Sequence, residues 1–310
     1  MPQPKVYVVS EDLHLLLDRW SNDRFGRVFD LPYSDIRAEL AEVLAFADHR
    51  VLQVTADQMR DGIDRLLKGE RRPVISVDPV YWPTDFMLQI TRCVDPETLE
   101  SVDGFHARFG FPRPDEQVTA LVGRLHEHFN GSSGEVVLVD DVVYSGKVVA
   151  EVIRRLAEHK IRVVRVVCGI AVAESAASDP FRMCTSLGAS LDAAHAFGVE
   201  GTPRALDEIC ERDFFVFCPM SGRSVASEEA NVGFPYIMPF GLADKWASLG
   251  EHAADVSARL ISINIRVLEM MERQLGRAIC FADLDRHPVR ARHCSVDGDS
   301  VRLHLLAHLR

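Results

Sequence analysis

The sequence predicts an α/β protein in which a parallel sheet is flanked by helices, and three observations lead to this fold class. Segments of strand and helix periodicity alternate along roughly the first half of the chain. Residues 135–139 read as a continuous apolar run, which is typical of a strand buried on both faces of a parallel sheet. A helical pattern at 148–159 and a second apolar run at 162–170 follow directly, which completes a strand–helix–strand unit.

The elements before this unit follow the same alternation. The predicted strands and helices are a strand at 5–9, a helix at 34–47, a strand at 51–54, a helix at 57–67, a strand at 73–77, a helix at 84–90 and a helix at 117–129. Residues 93–116 lose periodicity and contain three prolines, so they are predicted to form a long functional or mobile loop.

The second half of the chain is less regular until a long helix at 253–275, which Gly276 ends. No linker of low complexity separates the two halves. We therefore predict one domain over residues 1–240, with a motif-bearing core at 73–172 and an N-terminal extension, and a mainly helical C-terminal appendage over 241–310. The apolar face of the long helix fits a core or a subunit interface, so a homodimer is one expectation.

Composition excludes several classes of protein. The 310 residues include 46 acidic and 35 basic side chains, a net charge of −11, so nucleic acid and anionic membrane surfaces are not expected partners. The seven cysteines are scattered without a C-x-x-C spacing, as in a reduced cytoplasmic protein. No apolar run approaches the about 20 residues that a membrane-spanning helix requires.

The junction after the strand at 135–139 carries the most informative motif. Asp140 and Asp141 come directly after this strand, and ligands of open parallel sheets bind outside the carboxyl ends of the strands. Gly146 allows the backbone to approach an anion closely, Ser145 adds a hydroxyl donor and Lys147 adds charge, just before a helix N-terminus. Because two carboxylates repel a phosphate, we expect the acidic pair to hold sugar hydroxyls instead.

Residues 136–147, VVLVDDVVYSGK, resemble the signature for 5-phosphoribosyl 1-pyrophosphate (PRPP) in type I phosphoribosyltransferases. The resemblance implies a type I phosphoribosyltransferase-like core in which Asp140 and Asp141 contact the ribose 2′- and 3′-hydroxyls. It also implies that the loop around the 5-phosphate supplies the substrate-binding residues, which are Val142, Val143, Tyr144, Ser145, Gly146, Lys147 and Val148. This chain departs from the family at Val148, where the family usually has a Thr or Ser hydroxyl.

Two further parts are implied by the resemblance. A pyrophosphate-binding loop corresponds to 78–81, with Asp78 and Tyr81 as its substrate-binding residues, although an ordinary turn with an aromatic plug explains the same residues. A hood loop that excludes water corresponds to 106–114, with Arg108 as its catalytic cation. Arg92 and Arg113 are alternatives for this cation, and a solvated surface loop is the structural alternative for the segment.

The implied reaction transfers 5-phosphoribose from PRPP to a nitrogenous acceptor with release of pyrophosphate. Displacement at ribose C1 builds positive charge on the sugar and negative charge on the leaving group, which Mg²⁺ and an arginine stabilise. Asp140 and Asp141 position the sugar, and the substrate holds most of the Mg²⁺ shell, with Asp140 or Asp141 as a further ligand. Two alternatives stay open: a non-catalytic sensor of PRPP or a nucleotide, and phosphorolysis or hydrolysis of a nucleotide in the same pocket.

The acceptor is the least defined part. Aromatic residues at 214–223 and at 234–240 line either an acceptor pocket or a core beneath the long helix. Arg223 lies beside an apolar turn, where a guanidinium is costly unless it meets an anion or a carboxylate. We therefore count Arg223 among the candidate substrate-binding residues.

Overall fold

The structure is a computed structural model that confirms the α/β fold class with a parallel sheet flanked by helices. It describes residues 6–11, 13–45, 50–79, 81–95, 97–98, 100–108, 111–130, 134–173, 179–197, 208–210, 223–225, 231–232, 237–246, 249–284, 298–307 and 309. None of the helices in these ranges is long and apolar enough to cross a membrane.

The strands within these ranges are β1 Val6–Ser10, β2 Arg50–Val54, β3 Val74–Ser76, β4 Phe86–Met87, β5 Ile90–Val94, β6 Ser101–Ala107, β7 Gly134–Val143, β8 Ile161–Val172, β9 Ser190–Phe197, β10 Glu208–Cys210, β11 Arg223–Val225 and β12 Asn231–Val232. The helices are α1 Leu13–Phe25, α2 Tyr33–Leu44, α3 Ala56–Leu67, α4 Pro114–His128, α5 Lys147–Glu158, α6 Pro180–Ser186, α7 Ala243–Trp246, α8 Ala253–Leu275 and α9 Val301–Ala307. The helices predicted at 34–47, 57–67, 117–129, 148–159 and 253–275 are confirmed as α2, α3, α4, α5 and α8.

The chain divides into two compact units. The first consists of Met1–Val54, Val94–Ser101 and Asp207–Arg310, and the second of Thr55–Cys93 and Val102–Leu206. These units do not coincide with the predicted domains 1–240 and 241–310, because β1 and β2 belong to the same unit as α8 and α9. The predicted boundary at residue 240 stays a prediction.

The second unit is built on a five-stranded sheet in the order β4-β3-β7-β8-β9, and all four strand pairs are parallel. On one face, Val136 and Leu138 of β7 belong to a core with residues of α4 and α5. On the other face, Val137 and Val139 pack with Ile63 of α3. Helices on both faces explain why β7 is apolar at successive positions instead of alternating.

The first unit contains a three-stranded parallel sheet in the order β10-β1-β2. The long helix α8 ends at Gly276, which adopts a left-handed conformation with φ 76°, as the sequence predicts. Its buried residues include Leu260, Ile261 and Leu268. This apolar face therefore contributes to the core of the first unit.

Two predictions between residues 84 and 116 are wrong. The predicted helix at 84–90 contains strand β4, because Phe86 and Met87 pair with Ile75 and Ser76 at the edge of the central sheet. The predicted loop at 93–116 contains the last two residues of β5, all of β6 and the start of α4. Both segments gain their strand structure from neighbouring strands, and pairing of this kind leaves no periodicity in a short segment.

Candidate functional site

The acidic pair lies inside β7, at the point where the neighbouring strand β3 has already ended. Ser76, the last residue of β3, is in register with Val139. On the other side β8 continues alongside β7, with Asp140 opposite Cys168 and Val143 opposite Ala171. The expectation that the strand ends before the pair is therefore wrong. Asp140 and Asp141 nevertheless lie at the carboxyl edge of the sheet, by which we mean the side on which its parallel strands end, and β3 stops there.

The two aspartates lie next to each other and interact. The backbone N–H of Asp141 donates to Oδ1 of Asp140 at 3.0 Å, and Asp141 is only 7% exposed. The pKa of Asp140 is raised well above its usual value, first by burial and then by the negative charges of Asp141 and Asp78. A hydrogen bond between the two carboxyl groups adds to this shift. The carboxylate oxygens of this pair are acceptors suited to the hydroxyls of a ligand.

The turn after β7 leads directly into the N-terminus of α5. Gly146 is the N-cap residue of α5 and adopts the left-handed conformation, with φ 70°, and a glycine has no side chain that could cap the helix. A Cβ added at Gly146 would lie 2.2 Å from Cε of Met183, so α6 packs closely against this turn. The amide groups of the first turn of α5, together with the helix dipole, form a site suited to an anion.

The remaining motif residues differ in their exposure. Val143 is buried, and the side chains of Val142, Tyr144 and Ser145 are partly buried. Lys147 is exposed. Val148, at the position where the family usually has a hydroxyl, is partly buried and packs against the core on the α5 face of the sheet. The predicted phosphate loop is therefore a compact turn with an apolar residue at its helical end.

Asp78 and Tyr81, the residues of the predicted pyrophosphate loop, are both buried. The side chain of Asp78 is 0% exposed, and Oδ2 of Asp78 lies 3.3 Å from Nη2 of Arg108. The backbone N–H of Trp82 donates to the carbonyl oxygen of Asp78 at 3.4 Å. The buried ring of Tyr81 matches the aromatic plug that was the alternative for this loop, and Asp78 pairs with a cation.

The predicted hood loop at 106–114 is largely ordered by its neighbours. His106 and Ala107 belong to β6, Arg108 follows this strand, and Arg113 is the N-cap residue of α4. Residues 109–110 lie outside the described residues, as does the side chain of Arg92. Of the three candidate cations, Arg108 lies beside the buried Asp78, whereas Arg113 is 87% exposed and pairs with Glu116.

The acceptor prediction falls largely outside the described residues. Residues 211–222 and 233–236 are not among them. Arg223 is the first residue of β11 in the first unit, and its side chain is also outside the described part of the chain. Its role stays a prediction.

The implied Mg²⁺ fits the acidic pair only as a metal shared with the substrate. Carboxylate oxygens are suitable Mg²⁺ ligands, and Asp140 and Asp141 supply two such groups. Among the residues that the structure describes, no group of three or more His, Cys, Asp or Glu side chains is placed to hold a metal ion. The pair therefore suits an ion that takes its other ligands from substrate and water.

Comparison with known proteins gives distant similarities only. No protein-family model matches the chain, and no curated protein matches it. Orotate phosphoribosyltransferase from Aeropyrum pernix is 16% identical, with a TM-score of 0.24, over 44% of this chain and 69% of that one. UMP synthase from Leishmania donovani is 14% identical, with a TM-score of 0.25, over 51% of this chain and 29% of that one. Both TM-scores are low, so neither similarity assigns a ligand or a residue's role to this chain.

Proposed function

We propose that this protein is a phosphoribosyltransferase that binds PRPP at the carboxyl edge of the central sheet and transfers 5-phosphoribose to a nitrogenous acceptor, releasing pyrophosphate. The observation that carries the proposal is the continuity of three features. An acidic pair on β7 in which Asp141 is buried and Asp140 partly buried, a turn with Gly146 in the left-handed conformation, and the N-terminus of α5 follow one another within nine residues, Asp140 to Val148. The first feature suits a sugar diol and the other two suit a phosphate.

Each group has a distinct task in this proposal. Asp140 and Asp141 hold the ribose hydroxyls and so fix the position of C1, while the first-turn amides of α5 bind the 5-phosphate. Arg108 binds the pyrophosphate, on which negative charge builds as its bond to C1 breaks. Mg²⁺ carried by the substrate neutralises the same charge. Because the chain has a net charge of −11, binding depends on these local groups and not on long-range attraction.

The direct test is calorimetric titration of the full chain with PRPP and Mg²⁺. We expect saturable binding by the parent and at least a hundredfold loss of affinity in Asp140→Ala/Asp141→Ala, since both hydroxyl contacts disappear. Asp115→Ala/Glu116→Ala is a matched control, because these adjacent acids are exposed at the start of α4. Absence of PRPP binding by the parent would contradict the proposal.

A second candidate function, a non-catalytic PRPP or nucleotide sensor, is favoured by one observation. Val148 supplies no hydroxyl to the phosphate and packs against the core instead. Pyrophosphate release, measured with PRPP, Mg²⁺ and a panel of nucleobases and amines, distinguishes the two functions. Turnover with any acceptor excludes the sensor, whereas PRPP binding without turnover across the panel favours it.

A further inference from the structure

Arg108 is held at the carboxyl edge of the central sheet by a buried carboxylate. Nη2 of Arg108 donates to Oδ2 of Asp78 at 3.3 Å. The Asp78 side chain is fully buried, and the Arg108 side chain is 29% exposed. A buried carboxylate requires a cation or hydrogen-bond donors, so this contact restrains the guanidinium.

The backbone of Arg108 is fixed independently, through Gln89 and Gln117. The N–H of Arg108 donates to the carbonyl oxygen of Gln89 at 2.8 Å. The side-chain amide of Gln117 on α4 accepts from the N–H of Gln89 at 2.7 Å and donates to the same Gln89 oxygen at 3.0 Å. It also donates to the carbonyl oxygen of Pro112 at 2.7 Å. One glutamine thus fixes the chain on which Arg108 lies.

One donor of the Arg108 guanidinium, Nε, is left over from the contact with Asp78. Nε of Arg108 is buried and has no hydrogen-bond partner among the described residues. An unsatisfied buried donor is costly, and the flat guanidinium matches two oxygens of a phosphate. A phosphate oxygen that reaches the exposed part of this side chain would add a charge-assisted hydrogen bond while Asp78 retains Nη2.

We infer that Asp78 is a positioning residue, which, with Gln117, holds the Arg108 guanidinium ready for the pyrophosphate group of PRPP and does not itself contact the substrate. The inference rests on the proposed function and changes the role of Asp78 within it. A carboxylate in contact with pyrophosphate would repel it. A carboxylate that orients an arginine instead strengthens the binding of pyrophosphate to that arginine. The cation then comes from an anchored position after β6 and not from a mobile hood.

The test compares two ligands that differ only in the pyrophosphate group. Calorimetric titrations with Mg²⁺–PRPP and with ribose 5-phosphate are run on the parent, Arg108→Gln, Asp78→Asn and the double variant. We expect each single variant to lose about tenfold to a hundredfold in affinity for PRPP and less than twofold for ribose 5-phosphate. The double variant should bind PRPP no more weakly than Arg108→Gln, because Asp78 acts through Arg108. Arg113→Gln, an exposed arginine nearby, should bind both ligands like the parent.

Gln117→Leu provides a second route if Asp78→Asn fails to fold, because it loosens Arg108 without leaving a buried charge. We expect a threefold to tenfold loss of PRPP affinity, again with ribose 5-phosphate unaffected. Three results would overturn the inference but leave the proposed function standing. These are equal losses for both ligands, additive losses in the double variant, and variants that bind PRPP like the parent. A parent that binds neither ligand would overturn the proposed function together with the inference.

Discussion

The central sheet has two edges whose charged groups are arranged differently. At its amino edge, the side on which the strands begin, carboxylates alternate with arginines among the described residues. They form one network of Glu70, Arg72, Glu135, Arg162, Arg165 and Asp192. Arg72 binds both carboxylate oxygens of Glu70 at 2.7 Å, and Nε of Arg165 lies 2.5 Å from Asp192. At the carboxyl edge, Asp140 instead has Asp141 and Asp78 as negatively charged neighbours.

The pKa values of the two edges shift in opposite directions. The pKa of Glu70 is lowered to about 2, chiefly by its side-chain hydrogen bonds with Arg72. The pKa of Asp140 is raised, chiefly by burial and then by the neighbouring aspartates. The charge of Glu70 therefore stabilises the folded state, whereas the charge of Asp140 destabilises it. A costly arrangement of this kind is typical of a binding site, where a ligand supplies what the protein leaves unsatisfied.

The largest effect should come from crowding the turn at the carboxyl edge. Gly146→Val places a β-branched residue at φ 70°, and its Cβ would also displace the end of the Met183 side chain. We expect a loss of about 3 kcal/mol in the free energy of unfolding and no measurable PRPP binding, by urea denaturation and calorimetry. Gly188→Val is the matched control, because φ is 79° there and nothing lies within 4 Å of the added Cβ. Equal losses of stability in the two variants would contradict the role of the Met183 contact.

The amino edge should respond in stability alone. Glu70→Gln removes a carboxylate whose side chain is 8% exposed and leaves Arg72 partly unpaired. We therefore expect the free energy of unfolding at pH 7 to fall by about 2 kcal/mol, with PRPP affinity unchanged. Because the pKa of Glu70 is lowered, its contribution is complete above the unfolded value of 4.5 and disappears as the pH falls through about 2. Urea denaturation from pH 7 to pH 3 measures how the difference in stability between the parent and the variant becomes smaller. Glu116→Gln, in an exposed pair with Arg113, should change stability by less than about 0.5 kcal/mol.

Removing a charge at the carboxyl edge should stabilise the protein, whereas removing one at the amino edge destabilises it. In Mg²⁺-free buffer at pH 7, Asp140→Asn should raise the free energy of unfolding by about 1 kcal/mol and weaken PRPP binding, because the variant no longer buries a charge. A raised pKa means that the folded state binds the proton more tightly, so the parent loses stability as the pH rises above the unfolded value of 3.8. The advantage of the variant should therefore vanish below that pH. Asp192→Asn, which breaks an ion pair at the amino edge, should destabilise the protein at pH 7.

The smallest effect concerns the apolar end of the phosphate loop. Val148→Thr adds a hydroxyl beside the first-turn amides of α5, and we expect a twofold to fivefold gain in affinity for ribose 5-phosphate. The cost in stability should be about 1 kcal/mol, since Val148 is only partly buried. Val149→Thr is the control, because Val149 is 1% exposed within the core, and it should lose more stability without a gain in affinity. Weaker binding by Val148→Thr would contradict the placement of the phosphate.

Local sequence signals predicted the parts of this fold that depend on neighbours along the chain. The apolar face of α8 and its end at Gly276 are such features, and so is the turn of Ser145 and Gly146 before α5. The full length of β7 does not follow from its apolar run, because β7 continues past that run through Asp140 to Val143 by pairing with β8. β4 likewise owes its strand structure to pairing with β3.

The candidate site shows the same division. The acidic pair and the glycine turn are contiguous, so the sequence brings them together. Other contacts of the site join residues that are far apart in the chain. These are the contact of Arg108 with Asp78, the hydrogen bonds of the Gln117 side chain to the backbone of Gln89, and the packing of Met183 on Gly146. No local pattern marks such pairs, and buried side chains such as Asp78 and Tyr81 cannot be distinguished from surface residues of the same type without the fold.

The most direct test of the comparison is an experimental structure of the protein with PRPP and Mg²⁺. The account predicts the 5-phosphate at the first-turn amides of α5, the ribose hydroxyls on Asp140 and Asp141, and the pyrophosphate on Arg108, with the amino-edge ion pairs unchanged. PRPP bound away from the carboxyl edge of the central sheet, or a 5-phosphate that does not contact Ser145 to Val148, would contradict it.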